Sequence, residues 1–226
     1  MEFESPSSYG LVQVKDHGLS INGKNQCSFN RPGDTSQNIM AEYGVDGLEK
    51  KEGLEILNVG LGCGMTLESS LPYAKSVDVV EINPKVVLAN RMFSDVLKDE
   101  RVNLIVGDGL EYMRTTDKKY DLVLIVVQSP LVAHSTDFYT VEGFELVGRV
   151  LKEKGVYVLW SFSLGNKRYD DVLYYSMKEV FDNVYDYPHN LLATNNILDK
   201  KEHVPEWDYE VNTVDHKVLQ NYWGGQ

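Results

Sequence analysis

From Leu54 onward the chain alternates two kinds of segment. Short apolar runs, "LEILNVG", "SVDVVEIN", "RVNLIVGDG" and "YDLVLIVVQSP", are separated by amphipathic stretches, "MTLESSLPYA", "PKVVLANRMFSDVLK", "LEYMRTTD" and "TVEGFELVGRVLKEKG". "VYVLWSFS" and "DDVLYYSMKEVFD" repeat the pairing. Apolar runs bounded by turn residues predict strands buried on both faces, and the longer stretches between them predict helices. Strand and helix alternating at this spacing imply right-handed βαβ crossovers and a doubly wound, mostly parallel α/β sheet. "NVYDYP" and "NLLATNNIL" then predict a closing antiparallel hairpin at the sheet edge.

The N-terminal pattern is different. Residues 9–29 hold short alternating segments broken at Asp16-His17-Gly18 and Asn22-Gly23. Asn-Gly favours the type I′ turn, whose two central residues need positive φ, so a small β-meander is predicted. "RPGDTSQNIMAEYG" predicts a turn and a short helix capped by Asp34, Thr35 or Ser36. The expected division is residues 1–50 for the meander and short helix, and 51–226 for the α/β unit with a polar, aromatic-dotted tail.

Composition narrows the function. With 226 residues, 42% hydrophobic and 25% charged, the chain has a globular composition. A net charge of −12 repels a phosphate backbone or an anionic bilayer, which argues against nucleic-acid and membrane roles. It would suit a cationic partner such as a polyamine, although acidity that serves only solubility is the commoner cause. The sequence shows neither a basic-then-apolar leader nor an apolar run long enough to span a bilayer, and a cytoplasmic location is expected. Cys27 and Cys63 fit no metal-ligand spacing, and free thiols and no metal are expected.

Candidate chemistry sits at the ends of the predicted parallel strands. "ILNVGLGCGMT" sets Gly60, Gly62 and Gly64 between the first strand and its helix, where a tight turn lets a ligand approach the backbone. Glu81 ends the second strand about 20 residues further on, where an acid holds ribose hydroxyls in nucleotide-binding folds. Taken alone, Glu81 also reads as a solvated acid at a strand end. Asp108-Gly109 end the third strand, where Asp108 would accept from an adenine amine or cap the helix that follows. The glycine loop lacks the Gly-Lys-Ser/Thr of a triphosphate cradle and no basic residue closely follows Glu81. A nucleoside with a short arm, S-adenosylmethionine or its decarboxylated form, therefore fits better than a dinucleotide.

These residues resemble the spermidine synthase (polyamine aminopropyltransferase) family, built on the class I, Rossmann-like methyltransferase fold with a seven-stranded sheet. The likeness covers about three quarters of the chain, through "FESPSSYGLVQV", "LSINGKNQ", "VGLGCGMTLE", "VDVVEINPKVV", "DERVNLIVGDGLEYM", "KYDLVLIVVQSP" and "FYTVEGFELVGRVLKEKGVYVLW". It implies that Glu81 binds ribose and Asp108 adenine, that the three glycines pass under the methionine-derived arm, and that Gln26 and Gln37 approach the nucleoside from the N-terminal side. It also implies transfer of an aminopropyl or methyl group to a small-molecule acceptor, a polyamine among the candidates, by a homodimer.

The sequence departs from the family in three places. Cys63 stands where the family usually has an Asp that holds the aminopropyl amine. The fourth strand ends in Val126, Val127, Gln128, Ser129 and Pro130, where the family has an acid, two small residues, a second acid and a proline. The C-terminal substrate segment is shortened to "YDYPHNLLATNNIL". A carboxylate orients the diamine and takes its proton, an effect worth about 10²- to 10⁴-fold in rate, so ordinary spermidine synthesis is expected to be slow. Candidate replacements are His134 as a base, or else a solvent-facing loop histidine, with Gln128 and Ser129 orienting the substrate. Cys63 reads as a small residue beside the ligand or a thiol of lowered pKa. Tyr139 is expected to pack at a helix start, and Trp160 and Phe162 to be core or pocket wall. A SAM-dependent methyltransferase proper, or a non-catalytic nucleoside- or polyamine-binding protein, is the alternative.

Overall fold

The computed structural model describes residues 2–30, 37–127, 135–161, 166–188, 190–196, 198, 203–206, 208–215 and 218–219. The proposed caps Asp34, Thr35 and Ser36, the strand-end residues Gln128 and Ser129, and His134 and Phe162 lie outside them.

The described residues form two sheets, with helices packed on them. The first is an antiparallel meander of β1 (Phe3–Ser7), β2 (Gly10–Lys15), β3 (Gly18–Ile21) and β4 (Lys24–Ser28) in that order. Asn22 (φ 51°) and Gly23 (φ 76°) both sit in the left-handed region, as the β2–β3–β4 path requires at its second turn. The first strand, Phe3–Ser7, was hidden in the sequence because Pro6 interrupts its pattern, and a proline is tolerated there because β1 is an edge.

The second sheet has seven strands in the order β10-β11-β9-β8-β5-β6-β7. Its parallel core is β5 (Leu54–Val59), β6 (Ala74–Glu81), β7 (Val102–Val106), β8 (Tyr120–Ile125) and β9 (Leu151–Trp160). The hairpin β10 (Asn183–Tyr187) and β11 (Asn190–Thr194) closes one edge antiparallel to β9, as expected. Side chains alternate faces along each strand. Leu57, Val123, Ile125 and Tyr157 pack with residues of α4 (Gly109–Thr115), α5 (Val141–Val150) and α6 (Lys167–Lys178). Ile56, Leu122, Leu124 and Val158 pack on the other face with α1 (Met40–Asp46) and α2 (Met65–Ser70). The meander folds onto α3 (Pro84–Phe93), burying Val12, Val14 and Leu19 against Val86 and Ala89.

Several element ends differ from the sequence reading. Helix α1 starts after Ile39, which caps it without a side-chain bond, so Asp34, Thr35 and Ser36 are not its caps. Helix α3 stops at Phe93 because Ser94 is extended (φ −145°, ψ 150°), and "VLK" becomes a separate 3-10 turn. "LKEKG" opens β9 and does not end α5. Its pairing jumps from Tyr120↔Leu151 to Leu122↔Val156, and Lys152 leaves the ladder to meet Glu55 (2.7 Å) and Asp121 (2.9 Å).

The C-terminal segment is anchored by polar groups. The two ring nitrogens of His203 face Asp186 Oδ1 (2.8 Å) and Asp171 Oδ1 (2.6 Å), and the Glu206 amide donates to Asp171 Oδ2 (2.7 Å). Further on, the side-chain amide of Asn212 donates to the Tyr139 carbonyl, and Val218 and Leu219 are buried in the core.

Candidate active site

Strand β5 is the switch point of the large sheet. The chain leaves it through α2 toward β6 on one side, and β8 lies on the other. In such sheets the crevice outside the carboxyl ends of these strands receives the ligand. A cavity of about 560 Å³ occupies that place, within the range of small-molecule sites.

The glycine loop forms its floor. Gly60 has φ 93°, and a Cβ there would stand 2.4 Å from the Val126 carbonyl oxygen, so only glycine lets β5 and β8 diverge at this point. Gly62 faces the cavity, while Gly64 lies behind it as the left-handed N-cap of α2. Gly109 is required by packing, because a Cβ would meet Val59 Cγ1 at 2.5 Å.

Glu81 couples the loop to β6. Its Oε2 accepts from the Leu61 amide and its Oε1 from the Asn83 amide, both at 2.8 Å. Burial raises its pKa above the usual carboxylate range, although these amides and those of Gly62 and Ile82 pull the other way. Each carboxylate oxygen can accept a further bond, so two hydroxyls in the cavity still find acceptors. Asn83 completes the corner. Its Oδ1 caps α3 through the Lys85 amide, while its buried Nδ2 has no partner. A buried donor left open beside a cavity is costly unless something accepts from it.

Asp108 caps a helix from the cavity edge. Oδ1 accepts from the amides of Leu110 (2.8 Å) and Glu111 (3.2 Å), capping α4, and the residue also lines the cavity. The walls between are apolar, with Val80, Val86, Val126, Val127 and Phe138. From the other side come Gln26 and the β1–β2 turn, Ser7 to Gly10, with Asn22. That turn is tightly interlocked, since the Asn22 side chain accepts from the Leu11 amide (2.8 Å) and occupies the space a Cβ on Gly10 would need.

A smaller cavity of about 170 Å³ adjoins the first, and Gln26, Gly62, Val126 and Val127 line both. Gln37, Cys63 and Trp160 belong to the smaller one. Cys27 and Cys63 are not free thiols. They form a disulfide with Cα atoms 6.0 Å apart, which ties β4 of the meander to the glycine loop. Cys63 is therefore neither a thiolate nor a lone small residue beside the ligand. Tyr139 is fully buried at the end of a 3-10 turn, as expected.

Residues 38–188 match the family profile of the spermine/spermidine synthase domain. The chain belongs to that family. A polyamine aminopropyltransferase of Thermococcus kodakarensis is 33% identical over 150 residues, covering 58% of this chain and 50% of the relative. The putrescine N-methyltransferase 2 of Nicotiana tabacum is 32% identical over 108 residues, covering 45% of this chain and 31% of the relative. The chain thus spans about half the length, or less, of such relatives. A solved spermidine synthase with the transition-state analogue AdoDATO superposes with a TM-score of 0.74 at 18% identity, covering 99% of this chain and 85% of the other. Human methyltransferase-like protein 13, in complex with SAH, gives 0.59 at 21%, covering 74% and 86%. Both carry the same fold.

Cys63 is held in the disulfide, and Val126 packs against apolar residues. Sequence reasoning missed Asn83 and the Ser7–Gly10 turn. A lone Asn before a Pro-started helix reads only as a cap, and the approach of the turn depends on how the meander packs.

Proposed function

We propose that the chain is a transferase of the spermidine-synthase group that binds S-adenosylmethionine, or its decarboxylated form, and passes an alkyl group to a small acceptor. The observation that carries this reading is the 560 Å³ cavity in which Gly60, Gly62, Glu81, Asn83 and Asp108 converge at the switch point. Glu81 accepts from the ribose hydroxyls while Asn83 Nδ2 donates to one of them. Asp108 receives the adenine amine, Val80, Val126 and Phe138 bound the ring, and Gln26 closes over the nucleoside. The sulfonium arm crosses Gly60 and Gly62 toward the smaller cavity.

In the reaction the lone pair of the acceptor attacks the carbon next to the sulfonium. The carbon–sulfur bond breaks, its electron pair stays on sulfur, and a neutral thioether nucleoside is left. Methyl transfer to a non-cationic acceptor suits this chain better than aminopropyl transfer to a diamine, because the disulfide at Cys63 and the side chains of Val126 and Val127 offer no carboxylate to hold a diamine cation or take its proton. Proximity and orientation then do most of the work. Gln128 and Ser129 are proposed to orient the acceptor and His134 to take its proton, in a homodimer of the family kind.

The test is incubation with each donor and a panel of amines, assayed for S-adenosylhomocysteine and methylthioadenosine. S-adenosylhomocysteine from the methyl donor supports the reading; release of methylthioadenosine only from the decarboxylated donor favours aminopropyl transfer. Tight donor binding with neither product, from any acceptor, would favour a non-catalytic nucleoside-binding role, to which the carboxylate-free tip of β8 also lends itself.

A further inference from the structure

The smaller cavity differs in chemistry from the larger one. No described residue that lines it carries a charge. Its apolar surface comes from Leu61, Met65, Val126, Val127 and Trp160, with the Cys27–Cys63 disulfide on one side. Its polar groups are neutral amides and a hydroxyl, from Asn25, Gln26, Gln37 and Thr66.

A diamine is a dication near neutral pH, and an ammonium moved from water into such surroundings loses its hydration without gaining a carboxylate from the described lining. A neutral ring has the opposite balance. It leaves water willingly, lies against an indole and a thioether, and accepts or donates single hydrogen bonds to side-chain amides. The volume, about 170 Å³, equals roughly six water volumes, enough for one or two fused small rings.

Resting on the donor site proposed above, we infer that this compartment takes a neutral nitrogen heteroaromatic as the alkyl acceptor in place of a polyamine. Such a ring keeps an unprotonated lone pair at neutral pH, so attack requires no prior deprotonation and no carboxylate base. The ring nitrogen forms the new nitrogen–carbon bond as the carbon–sulfur bond breaks, with the electron pair staying on sulfur. In an azole the proton on the second nitrogen then passes to water. The four residues shared by the two cavities mark the path between ring nitrogen and sulfonium.

The experiment uses the full chain with each donor, and benzimidazole or putrescine as acceptor, followed by mass spectrometry of the alkylated product, with donor binding measured separately by calorimetry. N-alkylated benzimidazole is expected, at a rate at least 100-fold above that of putrescine. Val126→Asp is expected to reduce benzimidazole turnover at least 10-fold and to narrow that preference. Bound donor without alkylated benzimidazole overturns the inference and leaves the donor site standing. Preferential alkylation of putrescine also overturns it. No donor binding removes the donor site and this inference together.

Discussion

Glu81 is asked to do two things with one carboxylate. It holds the glycine loop through Leu61 and is proposed to hold a ribose, so Glu81→Ala is expected to weaken nucleoside binding about 100-fold, a loss of roughly 1.5–3 kcal/mol per charged hydrogen bond. Glu81→Gln keeps one acceptor oxygen and should fall between, which titration calorimetry measures. The raised pKa of Glu81 also fixes a sign. The native state holds this proton more tightly than the unfolded chain does, so its contribution to stability is complete below the ordinary Glu value of about 4.3 and is lost as pH rises through the raised value. The melting temperature of the wild type relative to Glu81→Gln should therefore decline as pH rises above about 4.3. Nucleoside affinity should move the other way, since the ionised carboxylate offers ribose hydroxyls two stronger acceptors than the protonated form. Glu81 and Asp108 were legible in the sequence because a parallel strand delivers its last residue to the ligand edge. Asn83 was not, because an unpartnered Nδ2 is a fact of packing and not of pattern.

At the scale of elements, the disulfide sets the meander on the glycine loop. Its cysteines are 36 residues apart, and nothing in their spacing announces the pairing. They meet only because the meander buries Val12, Val14 and Leu19 against α3, whose partner loop carries Cys63. Breaking a cross-link of this size costs about 2–4 kcal/mol, which in a chain of this length lowers the melting temperature by roughly 4–16 °C. Dithiothreitol should produce that shift in the wild type and none in a Cys27→Ser/Cys63→Ser chain; no shift in either would show that the bond does not form. Element identity was readable from periodicity, while element ends depended on tertiary partners. "LKEKG" has the composition of a helix tail, yet Lys152 is drawn into a strand opening by Glu55 and Asp121.

For the whole molecule, the doubly wound sheet follows from the alternation of buried runs and amphipathic stretches, and the C-terminal segment does not. Its path is fixed by His203, which gives no pattern in one dimension. Burial disfavours charge on this imidazole, but the carboxylates of Asp186 and Asp171 outweigh it and hold its pKa above the ordinary value. With a carboxylate at each ring nitrogen, both nitrogens donate only in the protonated form. The stabilisation is thus present below about pH 6.5 and lost as pH rises through the raised value. Hydrogen exchange around residues 203–206 should accelerate across that range in the wild type, and be fast and nearly pH-independent, after correction for intrinsic rates, in His203→Ala. Among the described residues no helix is long and apolar enough to cross a membrane.

The proposed function requires a nucleoside in the cavity at the switch point. Isothermal titration of the full chain with S-adenosylmethionine, its decarboxylated form and methylthioadenosine tests this most directly, with Glu81→Ala as the comparison. The account predicts saturable one-site binding for at least one of the three, in the micromolar range of about −8 kcal/mol, and its loss in the variant. Absence of binding by all three to the folded wild type, or equal binding by Glu81→Ala, would contradict it.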